Sequence, residues 1–464
     1  LTYYDYLGIC NCKLIAGGPV LRHYFHGGIH PSDGTDKRLS NQKPIRVYTP
    51  QVVEVSMKQS PGGFCDAVVN VGDKVAKGDL IGKPVSFSGA NIHAGISGTV
   101  TEIRIDQDAY GREVKTVVIQ ADGTGNEKKD SVCEYEEKII DLSGYAREDI
   151  IANMKEGGII GLGGAGFPAH IKYETKEKIK YILVNAAECE PYLTCDHMLV
   201  MEHGYAVING VLLLVKASGA DKAIICFEDN KKDAAGHLQD IISNTELPVE
   251  IKILPTKYPL GGERQLVEAV LHMEVPAGKL PASIGVIINN VGTAKAVADM
   301  VIGGNPLTSR VVTVTGKVRE PGNYLVPIGT RFTELINLSG GFTAENCRVI
   351  EGGPMTGHCL QIGGTHEELM GSVAKTTSAI VVLEDTSKVE TPCIRCGECE
   401  RVCPAGLAPF KIDFAAIEDD IDLCRRLYAT ECISCGCCSY VCPAKRELAY
   451  RITEAKTEIL RHKA

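Results

Sequence analysis

The chain lacks any long block of lysine and arginine. Together with a formal net charge of −9 and a pI near 5.8, this argues against a nucleic-acid partner. It also lacks a long apolar run: the most apolar stretch, Ala206 to Val215, is interrupted by Asn209 and Gly210 and followed by Lys216. That is too short to span a bilayer and reads as a buried helix, so work at a membrane would go through partners. Leu1 to Val20 has neither a basic start nor a clean apolar centre, which makes it a poor signal peptide.

Cysteine is what the chain has in quantity, nineteen in 464 residues. Eight fall in two copies of one pattern, Cys393-x2-Cys396-x2-Cys399-x3-Cys403-Pro404 and Cys432-x2-Cys435-x2-Cys438-x3-Cys442-Pro443. Short x2 steps force a tight loop whose amides face inorganic sulfide, and the proline keeps the loop from running on as helix. In such a run the fourth cysteine serves the other cluster. The expectation is therefore two [4Fe–4S] clusters, one on Cys393, Cys396, Cys399 and Cys442, the other on Cys432, Cys435, Cys438 and Cys403. Zinc needs four thiolates per ion but does not explain a fourth cysteine before proline twice over. Such clusters need reduced thiolates, so a reducing, cytoplasmic setting is expected. Cys437 has no slot in the pattern and reads as a small residue of the loop.

The length allows several domains. The chain starts without Met, and residues 1–23, with Cys10 and Cys12, read as an extension and 24–52 as an arm; His23, His26 and His30, at their junction, pack rather than bind metal in this reading. Residues 53–122 alternate in short strands between glycine turns, as in a small β-sandwich. They resemble the barrel-sandwich hybrid of lipoyl and biotinyl carriers, but no lysine lies between Pro84 and Ile103 to carry a cofactor.

Residues 145–308 alternate strand and helix, with strands at 181–184, 222–226 and 249–253 and helices at 197–218 and 231–242, the pattern of a Rossmann-like sheet covered on both faces. Gly161, Gly163 and Gly166 satisfy G-x-G-x-x-G, yet Phe167-Pro168 stands where a phosphate-binding helix would start. What such glycines provide is close approach of backbone amides to an anionic or flat ligand. Gly261 and Gly262, in a run opened by Tyr258, precede a helix starting at Gln265, and Asn289 and Asn290 end an apolar strand. Together they point to a flavin and nucleotide pocket. Residues 309–345 read as a small β domain with a helix at 330–338, 346–390 as a glycine-rich segment and linker holding one strand at 379–383, and 391–464 as a largely helical cluster domain.

The motifs His26-Gly27-Gly28-Ile29-His30, Gly163 to Pro168, Asn185 to Pro191, Gly262 to Arg264 and Asn289-Asn290, in that order and ahead of the paired cysteine runs, resemble the RnfC family of Rnf electron-transport complexes over residues 24 to 460. The middle is similar to the flavoprotein subunit of respiratory complex I, which holds FMN and takes hydride from NADH. The resemblance implies a multidomain α/β chain: lipoyl-like barrel-sandwich hybrid, FMN/NADH domain, β-grasp (SLBB) domain and helical two-cluster ferredoxin domain. It also implies that Gly161, Gly163, Gly164 and Lys172 meet FMN phosphate and ribityl, and that Asn185 and Glu188 lie along the flavin. Tyr258, Gly261, Gly262, Asn289 and Asn290 would close its other side. Gly166, Phe167, Glu190 and Glu263 would meet the nicotinamide nucleotide, with Glu190 nearest the reacting ring. Leu162 stands where the complex I subunit carries arginine, Ala187 where it has an acidic residue and Gly262 where it has glutamate.

NAD(H) passes electrons in pairs and a [4Fe–4S] cluster one at a time, so something between them must hold the second electron, and a flavin can. The implied activity is NADH oxidation or NAD reduction in a ferredoxin:NAD oxidoreductase coupled to ion translocation. Its partners would be the other Rnf subunits and, indirectly, ferredoxin, on the cytoplasmic side of the membrane. A soluble reductase fed by NADH, of methylenetetrahydrofolate or proline reductase type, and a cluster scaffold without nucleotide activity stand beside it.

Overall fold

A computed structural model describes residues 25–60, 63–108, 112–123, 134–243, 245–360, 369–385 and 389–461. The expected extension, with Cys10, Cys12 and His23, lies outside the described residues.

The first unit is a sandwich of a four-stranded sheet, ordered Val52–Ser56, Glu113–Ala121, Gly98–Gln107, Lys74–Val75, and a three-stranded sheet of Cys65–Ala67, Leu80–Pro84 and Ile92–His93. Its strands alternate as predicted. Val53, Val55, Val117 and Ile119 turn inward to meet Ile81, Ile92 and Ile96 in one core.

Next comes a four-stranded parallel sheet in the order Val249–Leu254, Lys222–Glu228, Tyr181–Ala186, Val286–Asn290. The chain builds outward from Tyr181–Ala186 and then returns past it to lay down the last strand on its other side. Asn185 and Asn290 are therefore neighbours in register at the carboxyl ends of two strands where the winding direction reverses. In open α/β sheets that crevice is where ligands bind.

The helix expected over 197–218 is two, Cys195–Glu202 and Gly204–Ser218, meeting at 98°. His203 leaves the helical region at φ −127°, and Gly204 packs on His237 and Ile241 where a Cβ would come within 2.7 Å. Among the described residues no single helix is long and apolar enough to cross a membrane.

The third unit differs from expectation. Its six-stranded sheet runs Ile45–Val47, Gly322–Pro327, Ser309–Gly316, Ala379–Glu384, Cys347–Glu351, His358–Cys359. Residues 346–390 are thus not a linker: Ala379–Glu384 lies parallel to Ser309–Gly316 in the middle of the sheet, with Ile380, Val381 and Val382 fully buried. A strand apolar on both faces needs a neighbour on each side, and Cys347–Glu351 supplies the second. The arm joins in as the edge strand Ile45–Val47.

The last unit is helical, as expected: Glu398–Arg401, Pro409–Ile417, Ile421–Arg426, Cys437–Val441 and Leu448–Arg461. Leu448, Ile452, Ala455 and Ile459 form the buried stripe of the longest helix. Asp413, buried in the unit's centre, accepts from Arg446 at 2.6 Å and from Arg451 at 2.8 Å. Both arginines also reach Glu390, which ties the incoming chain to the helices.

Helices Gly204–Ser218 and Val291–Val301 touch through Gly210, where an added Cβ would sit 1.8 Å from the Ala294 carbonyl oxygen. Gly210→Ala should cost about 1–3 kcal/mol by forcing them apart; chemical unfolding followed by far-UV dichroism will show the midpoint fall.

Candidate cofactor sites

The glycine loop is closed on itself. Gly161 donates its N–H to the Phe167 carbonyl at 2.8 Å and Gly166 donates back to Gly161 at 3.1 Å. Gly164 sits at φ +98°, which only glycine adopts without strain, and a Cβ there would meet nothing within 4 Å. The crest of the loop therefore faces open space. Behind it, the Leu162 amide donates to Thr293 Oγ1 at 2.9 Å, and the Leu162 carbonyl accepts from the buried Arg310 guanidinium at 2.8 Å. Lys375 holds the loop's base through the Gly158 carbonyl at 2.6 Å. A helix of only five residues, Ala169–Tyr173, follows Pro168, so the loop is not a Rossmann phosphate turn.

Opposite the loop lie the two asparagines of the switch point. A Cβ on Gly163 would be 3.3 Å from Asn290. Asn290 Oδ1 caps the helix Val291–Val301 by accepting from the Gly292 amide, and its Nδ2 donates to Asp196 at 2.5 Å. Asn289 donates to the Tyr173 hydroxyl at 2.5 Å, and Asn185 donates to the Gly261 carbonyl at 2.9 Å. Lys172 donates to Glu263 at 2.8 Å and to the Ile288 carbonyl at 2.9 Å. Gly262 caps the helix Glu263–Leu271, and Phe167 is partly exposed at the outer end of the loop. Glu188, at φ +44°, accepts the Asp196 amide on one oxygen, while its buried Oε2 has no partner among the described residues. Burial, then the nearby Glu188 charge, pushes the Asp196 carboxyl up to about 7.

Two expected residues are engaged elsewhere. Both Glu190 carboxylate oxygens are taken by the loop at Gly353–Gly357, through the Met355 amide at 3.2 Å, the Thr356 amide at 2.9 Å and the Thr356 hydroxyl. Glu190 is thus a loop anchor rather than a carboxylate offered to a reacting ring. The Tyr258 ring is buried and its hydroxyl donates to the Cys435 carbonyl at 2.7 Å, so its polar end serves the cysteine unit. Residues without sequence signal complete the site. Lys37 donates to the carbonyls of Glu188, Glu190 and Leu193, and Lys231 to that of Ala187 at 2.7 Å.

The eight motif cysteines form two groups. Cys393, Cys396, Cys399 and Cys442 line one small cavity, and Cys403, Cys432, Cys435 and Cys438 line another. Three residues of each run meet the last of the other, as the spacing predicts. The loops match in backbone: Arg395 and Ser434 have φ +56° and +54°, Gly397 and Gly436 +79° and +77°. Amides of Arg395 and Ser434 donate to Cys393 and Cys432 sulfur at 3.4 Å. Four convergent thiols, with backbone donors at their sulfurs, fit an iron–sulfur cube.

The second cavity abuts the sheet unit. Gly28 donates to the Val402 carbonyl at 2.9 Å, and Gly27 leaves no room for a Cβ beside the Cys403 backbone, 2.7 Å away. Ser32 donates to the Tyr440 hydroxyl at 2.8 Å, and Gln265 to the Pro404 carbonyl at 3.4 Å. The Gly27-Gly28 pair is thus a close-packing device, and the arm packs through the buried Phe25 and Ile29 while His26 and His30 are exposed.

Three family models match: a Nuo51 FMN-binding domain over residues 154–299, an RnfC barrel sandwich hybrid domain over 23–124 and an SLBB domain over 311–358. The chain is 39% identical over 443 residues to the RnfC protein of the Na(+)-translocating ferredoxin:NAD(+) oxidoreductase complex of Acetobacterium woodii, covering 94% of this chain and 97% of that protein. The chain belongs to the RnfC family. It is 36% identical to the RnfC protein of the proton-translocating ferredoxin:NAD(+) oxidoreductase complex of Clostridium ljungdahlii, covering 85% of each. To the RnfC protein of the ion-translocating oxidoreductase complex of Rhodobacter capsulatus it is 35% identical, covering 87% of this chain and 77% of that one. A looser likeness, at TM-score 0.48 and 20% identity, is to a chain of an NAD+-reducing [NiFe]-hydrogenase, over 69% of this chain and 61% of the other.

Because the folded chain keeps a proton on Asp196 that an unfolded carboxylate releases, that contribution is complete below pH 3.8 and lost as pH rises to about 7. The flavin-free RnfC-type chain should therefore lose stability across that window, and Asp196→Asn should flatten the slope in urea titrations run at several pH values.

Proposed function

We propose that this chain is the nicotinamide-facing subunit of an ion-translocating ferredoxin:NAD oxidoreductase, exchanging electrons between NAD(H) and partner subunits through FMN and two [4Fe–4S] clusters. The observation that carries the reading is the seam. A switch-point crevice with an open glycine crest and a cavity of four cysteines are joined directly by the Tyr258–Cys435 hydrogen bond. When bound, FMN accepts a hydride and releases single electrons, and each cluster carries one at a time.

The chain's own part is position and electrostatics. The amides of Gly163 and Gly164, with Lys172, would hold the phosphate and ribityl groups, while Gly161, whose N–H is taken by the Phe167 carbonyl, shapes the loop beneath them, and Asn185, Asn289, Asn290, Gly261 and Gly262 would border the ring system. The orphan Oε2 of Glu188 offers an acceptor that a donor-bearing ring would satisfy. Gly166, Phe167 and Glu263 would face the nicotinamide nucleotide. Glu190 holds the Gly353–Gly357 loop. Leu407, Phe410, Leu448 and Ile452 line the cysteine cavities of a ferredoxin-type domain and keep water from the clusters. The relatives' names, as subunits of ion-translocating complexes, favour a place in such a complex with the other Rnf subunits over a soluble reductase or an inert scaffold, and with that goes a peripheral position on the cytoplasmic side of the membrane.

Chain prepared without oxygen should carry about eight iron atoms and release FMN in acid, with NADH bleaching the yellow colour. Cys442→Ser should remove about half the iron and keep the flavin, while Lys172→Ala should lose flavin and keep the iron. Full iron with neither yellow cofactor nor response to NADH would refute the proposal.

A further inference from the structure

Residues 157–168, which form the glycine loop, carry no charged side chain, and Lys172 already answers the Glu263 carboxylate at 2.8 Å. The positive charge at the loop comes from behind it. Arg310, on the strand Ser309–Gly316 of the third unit, is 5% exposed and makes no ion pair among the described residues. Its guanidinium bonds two carbonyls, that of Leu162 at 2.8 Å and that of Lys375. The acids whose field reaches it, Asp196 and Glu351, spend oxygens on the Asn290 side-chain amide and the Thr377 hydroxyl. Lys375 is buried in the same state, its ammonium on the Asn91 and Gly158 carbonyls with no ion pair among the described residues.

We propose that Arg310 is a positioning residue for the flavin phosphate: it turns the Leu162–Gly163 peptide into an anion donor and supplies the buried charge that the phosphate balances. The inference rests on the flavin reading above. In a trans peptide the C=O and N–H point opposite ways, so a guanidinium on the Leu162 carbonyl aims the Gly163 N–H away from the buried back of the loop. Neither the Gly163 nor the Gly164 amide has an acceptor among the described residues. The same bond polarises that peptide and strengthens its donor. A buried cation without a counterion is costly, and a dianion seated one peptide away relieves that cost where a neutral group does not. Riboflavin, which is FMN without its phosphate, gains nothing from it.

The test compares the binding of FMN and of riboflavin, read by flavin fluorescence, to the flavin-free, iron-loaded full chain, to Arg310→Gln and to Arg310→Lys, with far-UV dichroism and iron counts to show that each is folded. The intact chain should hold FMN about a hundredfold tighter than riboflavin, and Arg310→Gln, which keeps a neutral donor, should narrow that ratio roughly tenfold by weakening FMN alone. Arg310→Lys, which keeps the charge, should retain most of the preference. A ratio unchanged in Arg310→Gln, whether or not both affinities fall, would overturn the inference, since Arg310 would then only shape the loop; loss of both flavins together would do the same, and so would a lysine variant no better than glutamine. An intact chain that holds riboflavin as tightly as FMN would overturn it without any variant. An intact chain that binds neither flavin would instead refute the flavin reading itself, and the inference with it.

Discussion

A chain that moves electrons between two sites has to hold those sites at a short, fixed separation, and here that constraint falls on one seam. The Tyr258 hydroxyl bonds the Cys435 carbonyl, Gly27 and Gly28 let the arm lie against Val402 and Cys403, and Gln265 reaches the Pro404 carbonyl. Each contact joins the sheet unit or the arm to the backbone of a cysteine loop rather than to an exposed side chain. The cysteine unit is thus docked by the segments that carry its sulfurs, and rotating it would break bonds at the cavity itself.

Buried cations complete the scaffold around the crevice. Lys375 bonds the carbonyls of Asn91 and Gly158, and burial pulls its ammonium down to about 7. Arg310 bonds the carbonyls of Leu162 and Lys375, and Lys37 and Lys231 clasp the 187–193 segment. Burying such groups is costly, and carbonyl partners offset the cost only in one arrangement, so these contacts fix the glycine loop and the Glu188 segment in place. The lipoyl-like unit takes part in this. Its hairpin meets Lys375 from another unit through the Asn91 carbonyl, which makes it a strut for the glycine loop.

Features set by local spacing are readable from sequence. The cysteine pattern gives the crossed quartets, strand alternation gives the sandwich, and the apolar strands ending in Asn185 and Asn290 give the parallel sheet. Features set by distant partners are not. Ala379–Glu384 reads as a strand with no partner because one neighbour pairs with it 66 residues away, Thr313 with Ala379, and the other, Cys347–Glu351, comes from a glycine-rich stretch. Arg310 and Lys37 carry no pattern, since each acts on carbonyls far along the chain. Glu190 is misplaced by local reading because its partners, Met355 and Thr356, lie in a loop whose position no local rule supplies. His203 breaks a helix that apolar periodicity continues, because periodicity does not register one residue's backbone angle.

The central claim is that the crevice and the two cysteine quartets form one electron path inside a single chain. Its most direct test is to reduce the FMN- and iron-loaded chain chemically, remove the reductant, mix it rapidly with NAD+ and freeze samples for electron paramagnetic resonance while following NADH absorbance. The account predicts that both cluster signals disappear as NADH appears, with no partner protein present. Clusters that stay reduced while NAD+ is in excess and the flavin is bound would contradict it.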